Sequence, residues 1–313
     1  MSIRHMKLGH ISDLHILELD SPRPWEFLNK RLVGSANLLL KRSKSHSTDL
    51  VHQAIAHLDA LDVDHIAISG DLTNLALDSE FAAAARVIGT IDNALERVSV
   101  VPGNHDYYTR GAADEGRFER HMAPYLKSDL PVYQLGTGYP FCKLRDDVAI
   151  IGLNSGIATP WLFATGRVDK DELNAVARLL DDPRVRDLFK VVIIHHPVLP
   201  VEYHKIEFNR RLINAREVLD KLRVHDVDLV IHGHTHRFSI QKVPHLRGSG
   251  TTYVCEAGST SVQIEGDAHL SGKFNIYHIE NRRLARVETH LFESHQAGFV
   301  PWREEIFETP IEA

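Results

Sequence analysis

The stretch "DHIAISGDLTN", residues 64–74, joins a short apolar run to a polar cluster. An apolar run of this length that ends at a glycine is typical of a buried strand. Ligands bind at the carboxyl ends of strands in open α/β sheets, so polar clusters in this position predict a site there. The same pattern occurs four more times, as "KLGHISDLH" (7–15), "VSVVPGNHD" (98–106), "KVVIIHHP" (190–197) and "DLVIHGHTH" (228–236).

Helical periodicity fills the gaps between these runs. "STDLVHQAIAHLDAL" (47–61) places its apolar residues on one face, behind Ser47 or Thr48 as the cap. Strands that alternate with helices predict an α/β layered fold. The pattern repeats in "DSEFAAAARVIGTI" (78–91), "DKDELNAVARLL" (169–180) and "NRRLINAREVLDKL" (209–222).

After His236 the sequence pattern changes from alternating strands and helices to short runs typical of β-strands, such as "GKFNIYHIEN" (272–281) and "RLARVETHLF" (283–292). These runs predict a second, antiparallel sheet packed on the first. No linker divides the chain, so we expect one domain over residues 1–295. Residues 296–313 are expected to form a C-terminal tail on the surface.

The composition is that of a globular protein, with 313 residues and a formal net charge of −6. The acidic balance argues against nucleic acid as a partner, because nucleic-acid binding needs a basic footprint. Two cysteines are too few for a disulfide framework. The first residues lack a long apolar run and no stretch approaches 18 apolar residues, which predicts a cytoplasmic protein without a membrane span.

The polar clusters supply seven nitrogen and oxygen donors. Such a set exceeds what one tetrahedral ion needs and suits two divalent ions that share a ligand. Carboxylate and imidazole without thiolate fit Mn, Fe or Zn. Two neighbouring ions favour phosphoryl chemistry, because they stabilise both the attacking and the leaving oxygen. The candidate ligands are Asp13, His15, Asp71, Asn104, one of His195 and His196, His234 and His236.

Glycine precedes two of these candidates, Asp71 and Asn104. We expect each glycine to let the backbone turn sharply and bring the side chain close to an ion. Two other histidines, His10 and His232, lie inside the strand runs. They are expected in the core or as supports that orient the ligands.

The motifs "DLH", "GDLTN", "GNHD", "HHP" and "GHTH", in this order over residues 8 to about 240, resemble the calcineurin-like metallophosphoesterase family. The resemblance implies a four-layer α/β/β/α sandwich of two mixed sheets flanked by helices. It also implies a dinuclear-metal phosphohydrolase whose nucleophile is a metal-bound hydroxide. By resemblance, Asp13, His15 and His236 hold the first ion, Asn104, His195 and His234 hold the second, and Asp71 bridges them.

His105 resembles the catalytic histidine of the family, which donates a proton to the leaving group or stabilises transition-state charge. Asp106 and His196 are expected to support the ligands. Asn74 stands where some branches have an aspartate that orients this histidine. An amide can still hydrogen-bond an imidazole but stabilises its charged form less, which argues against the serine/threonine protein phosphatase branch.

A basic insert, residues 21–46, follows the first motif and carries six Lys or Arg residues against the single acid Glu26. Its apolar residues recur every three or four positions, which is typical of an amphipathic helix. Such a helix either contacts a membrane or lipid surface or packs on the core, and the sequence leaves both open. The insert resembles the equivalent stretch of metallophosphoesterases that cleave UDP-2,3-diacylglucosamine, so Trp25, Lys30 and Arg31 are expected to rim the site.

The sequence therefore predicts hydrolysis of a phosphodiester or pyrophosphate bond, best in a nucleotide-linked lipid precursor such as UDP-2,3-diacylglucosamine. A 3′,5′-cyclic nucleotide phosphodiesterase is the alternative, since it uses the same ligand set and needs no lipid-facing helix. A non-catalytic scaffold on the same fold is a third hypothesis. Scaffold members tend to lose ligands, whereas all seven positions are filled here.

Overall fold

The computed structural model describes residues 5–18, 46–160, 163–199 and 208–307, and it contains two six-stranded sheets. The first sheet has, in spatial order, β12 (Gly298–Ile306), β11 (Arg283–Ser294), β10 (Lys273–Glu280), β1 (His5–Ile11), β2 (His65–Ile68) and β3 (Val98–Val100). The second has β4 (Phe141–Arg145), β5 (Val148–Gly152), β6 (Phe189–Ile193), β7 (Leu229–His232), β9 (Thr251–Ala257) and β8 (Phe238–Pro244).

Both sheets are mixed, as the family resemblance implied. β1, β2 and β3 run parallel to one another, while β10, β11 and β12 are antiparallel to their neighbours. In the second sheet β5, β6, β7 and β9 are parallel, and β4 and β8 pair antiparallel at the two edges. Parallel strands of this kind are buried on both faces, which explains their continuous apolar runs.

The C-terminal part departs from two expectations. Its strands do not form a separate antiparallel sheet, because β8 and β9 extend the second sheet whereas β10, β11 and β12 extend the first. The predicted tail from residue 296 is wrong over Gly298–Ile306, which pairs with β11 as the edge strand of the first sheet. Its alternating burial, with one face solvated, made this strand look polar in sequence.

The helices cover the outer faces of the sheets and confirm the α/β class. They are α1 (Thr48–Ala60), α2 (Asp78–Ile88), α3 (Ala94–Arg97), α4 (Arg110–Asp114), α5 (Arg117–Met122), α6 (Lys170–Leu180) and α7 (Ala215–Val224). Short 3-10 turns occupy Ala123–Leu126, Pro131–Tyr133 and Phe208–Arg210. Ser47 precedes α1, but its side chain makes no capping bond, whereas the side chain of Asp169 caps α6 by accepting from the Asp171 N–H.

Alternate residues of the second sheet point into two different cores. Ile193 and Ile231 belong to the core between the sheets, together with residues of β1 and β2. Their chain neighbours Val192 and Val230 belong to a second core beneath α6 and α7. Because side chains alternate along a strand, this division produces the layers of the sandwich. Within the described ranges, no helix is both long and apolar enough to cross a lipid bilayer.

A buried carboxyl group at the start of α2 makes the stability of the fold depend on pH. Glu80 is fully buried, and its Oε2 accepts the N–H groups of Leu75 and Leu77 at 2.9 and 3.2 Å. Burial raises the pKa of Glu80 from 4.5 to about 8. The stability that this neutral carboxyl contributes is therefore complete below pH 4.5 and is lost as the pH rises through 8.

We expect the Glu80→Gln variant to remove this pH dependence, because glutamine stays neutral and keeps an acceptor oxygen. Between pH 5 and 9 the wild-type protein should lose on the order of 2 kcal/mol of unfolding free energy relative to the variant. Urea unfolding at each pH measures the difference. Glu96→Gln, at an exposed position, is the control, and parallel curves for wild type and Glu80→Gln would refute the prediction.

Candidate metal centre

The five polar clusters meet at one edge of the molecule. Asp13 and His15 follow β1, Asp71 follows β2, Asn104 follows β3, His195 follows β6, and His234 and His236 follow β7. The loops are joined by main-chain hydrogen bonds, from the Asp13 N–H to Gly70 O and from the His15 N–H to Asp71 O, both 3.0 Å. The parallel strands thus deliver all seven predicted ligands to one place.

Five of the seven candidates have a left-handed backbone, a conformation that is uncommon for residues other than glycine. Each such residue costs on the order of 1–3 kcal/mol and persists only where the surrounding structure fixes it. Strain of this kind concentrates at functional sites, where it aims side chains at a common point. The φ angles are 53° at Asp13, 46° at His15, 52° at Asp71, 79° at His234 and 59° at His236.

Asp13, His15 and His236 form the first group of donors. Asp13 Oδ1 lies 3.2 Å from His236 Nε2, and His15 Nε2 lies 3.2 Å from the same nitrogen. Asp13 is fully buried, whereas the His236 side chain is 35% exposed. Two imidazole nitrogens and a carboxylate oxygen that face one another this closely suit a shared cation, and the exposed side leaves room for a substrate.

Asn104, His195 and His234 form the second group. Asn104 Oδ1 lies 3.1 Å from His195 Nε2 and 2.9 Å from His234 Nδ1. The opposite ring nitrogens donate to main-chain carbonyls, His195 Nδ1 to Ser69 O and His234 Nε2 to Arg210 O, both at 2.8 Å. These bonds occupy one nitrogen of each ring, so the nitrogen that faces Asn104 is the one that carries the lone pair when the ring is neutral, as metal-binding histidines require.

Asp71 lies between the two groups. Its Oδ2 is 3.4 Å from His195 Nε2, and its Oδ1 accepts the His105 N–H at 2.7 Å. Its carboxylate is within 4.8 Å of donor atoms of Asp13 and His195, and also of donor atoms of His15 and His105. A carboxylate in this position can coordinate one ion in each donor group.

The electrostatics of the cluster fit bound cations. Within the described ranges, Asp13 and Asp71 form ion pairs with histidines but with no lysine or arginine. Burial lowers the pKa of His234 to about 3, so this ring is neutral and can coordinate. Burial also acts to lower the pKa of His195, but the charge of Asp71 prevails and raises it to about 9. Two buried carboxylates thus require positive charge, which divalent ions supply.

Two predicted supporting residues, Asp106 and His196, hold the loops around the cluster. The Asp106 carboxylate accepts N–H groups from Leu72, Thr73 and Gly103 at 3.2, 3.0 and 2.9 Å, which ties the loop after β2 to the loop after β3. His196 turns away from the centre, with Nδ1 2.8 Å from Ser155 Oγ and Nε2 3.1 Å from Ala164 O. His195 is therefore the member of the pair that faces the other donors.

Asn74 supports His105 in a different way from the one expected. The imidazole Nδ1 donates to the main-chain carbonyl of Asn74 at 2.9 Å, while the Asn74 side-chain amide donates to His15 O. The main chain performs the orienting contact, so the side chain is available to brace the first motif. The His105 ring also stacks on Tyr108, at a centroid distance of 5.6 Å, and meets His15 edge-on at 4.9 Å.

The structure adds one residue that the motifs did not indicate. The His46 ring lies 4.6 Å from the His15 ring and 5.8 Å from the His236 ring. It stands outside every motif, at the end of the basic insert, which is why sequence reasoning missed it. His10 and His232 are buried, as expected. The predicted rim residues Trp25, Lys30 and Arg31 lie outside the described residues.

Comparisons with known proteins show the family and the fold of the chain. The sequence model of the family described as calcineurin-like phosphoesterase matches residues 6–238. A dimetal phosphatase from Danio rerio has a similar structure, with a TM-score of 0.54 and 16% identity over 91% of this chain and 95% of that one. Purple acid phosphatase PPD1 from yellow lupin (Lupinus luteus) seeds has a TM-score of 0.57 and 12% identity over 96% of this chain and 53% of that one. These identities support the fold alone, and no curated protein sequence matches the chain.

Proposed function

The chain belongs to the calcineurin-like phosphoesterase family, and on this premise we propose that it cleaves a phosphodiester or pyrophosphate bond in a nucleotide-linked lipid precursor such as UDP-2,3-diacylglucosamine. Family membership and the donor clusters make it a metal-dependent phosphoesterase with two divalent ions, which can be Mn, Fe or Zn. When bound, such ions polarise the phosphoryl group and lower the pKa of a water molecule.

One observation carries the assignment of the ligands. Two groups of nitrogen and oxygen donors, with atoms 2.9–3.2 Å apart inside each group, lie on either side of one buried carboxylate. Two ions at such positions can hold a phosphoryl group in line for displacement. We therefore assign Asp13, His15 and His236 to the first ion, Asn104, His195 and His234 to the second, and Asp71 to both.

His105 is the proposed proton donor to the leaving group. Its Nδ1 proton is held by the main-chain carbonyl of Asn74, so Nε2 is the nitrogen that takes up a proton and, in the charged form of the ring, passes it to the leaving group. Its main-chain N–H donates to Asp71, which ties the position of the imidazole to the bridging ligand. The residue thus acts beside the ions without belonging to either group of three.

Replacing His105 by alanine is expected to lower kcat by roughly 10²–10³-fold, the contribution typical of general acid catalysis. The loss should be larger for a phenyl phosphodiester than for a p-nitrophenyl phosphodiester, because the poorer leaving group depends more on protonation. Steady-state kinetics with both substrates measure this difference. His52→Ala, at an exposed position, is the control, and an equal loss for both leaving groups would show that His105 does not act as the acid.

The ends of the basic insert support the choice of a lipid-linked substrate. Ile16, before the insert, forms an isolated bridge with Thr73, two residues beyond Asp71. His46, at its end, contacts His15. Two described residues that flank this stretch, Ile16 and His46, therefore contact residues of the metal centre or of its loops. The six basic residues of the insert suit a diphosphate and its leucines suit acyl chains, so we propose that Trp25, Lys30 and Arg31 rim the site and contact lipid.

A cavity of about 720 Å³ lies beside the strand that follows the last motif and supports a large substituent. Its lining includes Arg237, the residue after His236, together with Phe238, Lys273 and Trp302 and the acidic residues Asp267 and Glu305. The Phe238 and Trp302 rings meet edge-on at 5.5 Å. Walls that combine aromatic rings with charged side chains of both signs suit a ligand with both apolar and polar parts.

A substrate screen tests the proposal. Mn-loaded protein should hydrolyse UDP-2,3-diacylglucosamine in detergent micelles faster than 3′,5′-cyclic AMP. Deletion of residues 21–44 should abolish turnover of the lipid substrate while cleavage of bis-p-nitrophenyl phosphate persists. Preference for cyclic AMP, unaffected by the deletion, would assign the chain to the cyclic nucleotide phosphodiesterases instead. Failure to cleave any of the three substrates with metal bound would favour a scaffold.

A further inference from the structure

Three imidazoles converge on the partly exposed side of the first donor group. Ring nitrogens of His15, His46 and His236 all lie within 4.8 Å of one another. The His46 ring meets the His15 ring at 62° and the His236 ring at 83°, so neither pair is stacked. Edge-on contacts of this kind occur in aromatic packing too, but three imidazole nitrogens within 4.8 Å of one another can also serve a single metal ion.

The backbone fixes the position of His46. His46 forms an antiparallel bridge with Val262, and the neighbouring Ser47 N–H donates to Ser261 O at 2.8 Å. The imidazole Nδ1 lies 2.7 Å from Ser261 Oγ. These contacts attach the residue to the same loop, after β9, that supports Asp13.

The hydroxyl of Ser261 determines the tautomer of His46. Ser261 Oγ donates its single proton to Asp13 O at 2.9 Å, so it accepts a proton from His46 Nδ1. The neutral ring then carries its lone pair on Nε2. His195 and His234 have the same arrangement, in which one ring nitrogen donates to a protein oxygen and the other serves as the donor to an ion.

An independent observation at His15 points to a ligand in the same place. His15 Nδ1 is buried and has no hydrogen-bond partner within the described residues. Buried polar nitrogens are rarely left without a partner, because an unmade bond costs about 1–3 kcal/mol. A ligand bound at Nδ1 itself would supply the missing partner, because an ion on Nε2 leaves Nδ1 unchanged.

We propose that His46 is an additional ligand of the ion held by Asp13, His15 and His236. The inference rests on the proposed function, because it concerns the same centre. With His46 the first ion has three imidazoles, which favours Fe or Zn over a harder ion such as Mn. It also ties the end of the basic insert to the metal.

The test is a titration of metal-free protein with Co²⁺. Calorimetry measures the binding affinities, and visible absorption measures the bands of the bound Co²⁺. His46→Ala should weaken one of the two sites by about 10-fold or more and shift the absorption bands of that site. The preference of the same site for Zn²⁺ over Mn²⁺ should also fall in a competition experiment. His52→Ala, at an exposed position of α1, is the matched control and should behave as the wild type.

Unchanged Co²⁺ affinities and an unchanged spectrum in His46→Ala would overturn the inference. A rise in KM for bis-p-nitrophenyl phosphate without a change in metal binding would also overturn it, since His46 would then contact the substrate. If the alanine variant does not fold, Ser261→Ala replaces it and should weaken the same site. The titration contains no substrate, so a negative result with UDP-2,3-diacylglucosamine leaves the inference standing.

Discussion

The Asp71→Ala variant is expected to lose at least about 10³-fold in kcat together with one of its two metal ions. The carboxylate lies between both donor groups and also accepts the His105 N–H, so its removal affects each ion and the proton donor. An ion that stabilises transition-state charge contributes several kcal/mol, and each 1.36 kcal/mol is a tenfold change in rate. Steady-state kinetics with bis-p-nitrophenyl phosphate and metal analysis of the same sample measure the two losses.

Two further variants test whether the charge of Asp71 is required, independently of the size of its side chain. Asp71→Asn preserves the size of the side chain and tolerates the left-handed backbone, so it should fold and still lose activity. Asp78→Asn, an exposed position at the start of α2, should retain activity and both ions. Retained hydrolysis by Asp71→Ala with two bound ions would rule out the bridging role.

The position of the site was predictable because of a property of parallel strands. An apolar run in the sequence identifies each buried strand. The residues that follow neighbouring parallel strands lie at the same edge of the sheet. Asp13, Asp71 and His195 thus come together although they lie far apart in sequence. The strand β12 was missed because burial on one face alone leaves a weaker signal.

Other contacts could not be predicted, because they depend on three-dimensional neighbours. The bond from His105 to the main chain of Asn74 has no signature in residue type, since every residue carries a carbonyl. His46 belongs to no motif and reaches the centre only because its segment pairs with residue 262.

The sequence predicted a sharp backbone turn at both Gly70 and Gly103, but the two glycines have different backbone conformations. Gly70 has a φ of +103°, which requires glycine, whereas Gly103 does not have a left-handed backbone.

The Gly103→Ala variant is expected to lose about 10²-fold in kcat, although residue 103 binds nothing itself. A β-carbon at this position would lie closer than 3.0 Å to the Oδ1, Cγ and main-chain N of Asp71. The contact with main-chain nitrogen cannot be relieved by rotating a side chain, so the loop must move and separate Asp71 from Asn104. A displacement of about 1 Å in a catalytic group can cost this much in rate.

The same displacement should weaken metal binding, which calorimetric titration of metal-free Gly103→Ala with Mn²⁺ measures. We expect at least a tenfold loss of affinity at one site and, because overpacking is destabilising, a loss of about 1–3 kcal/mol in unfolding free energy. Gly136→Ala is the matched control, since Gly136 is exposed and an added β-carbon meets no described atom within 4 Å. Wild-type metal affinity in Gly103→Ala would mean that the two loops can separate without moving the ligands, and the proposed dependence of the bridge on their close approach would be wrong.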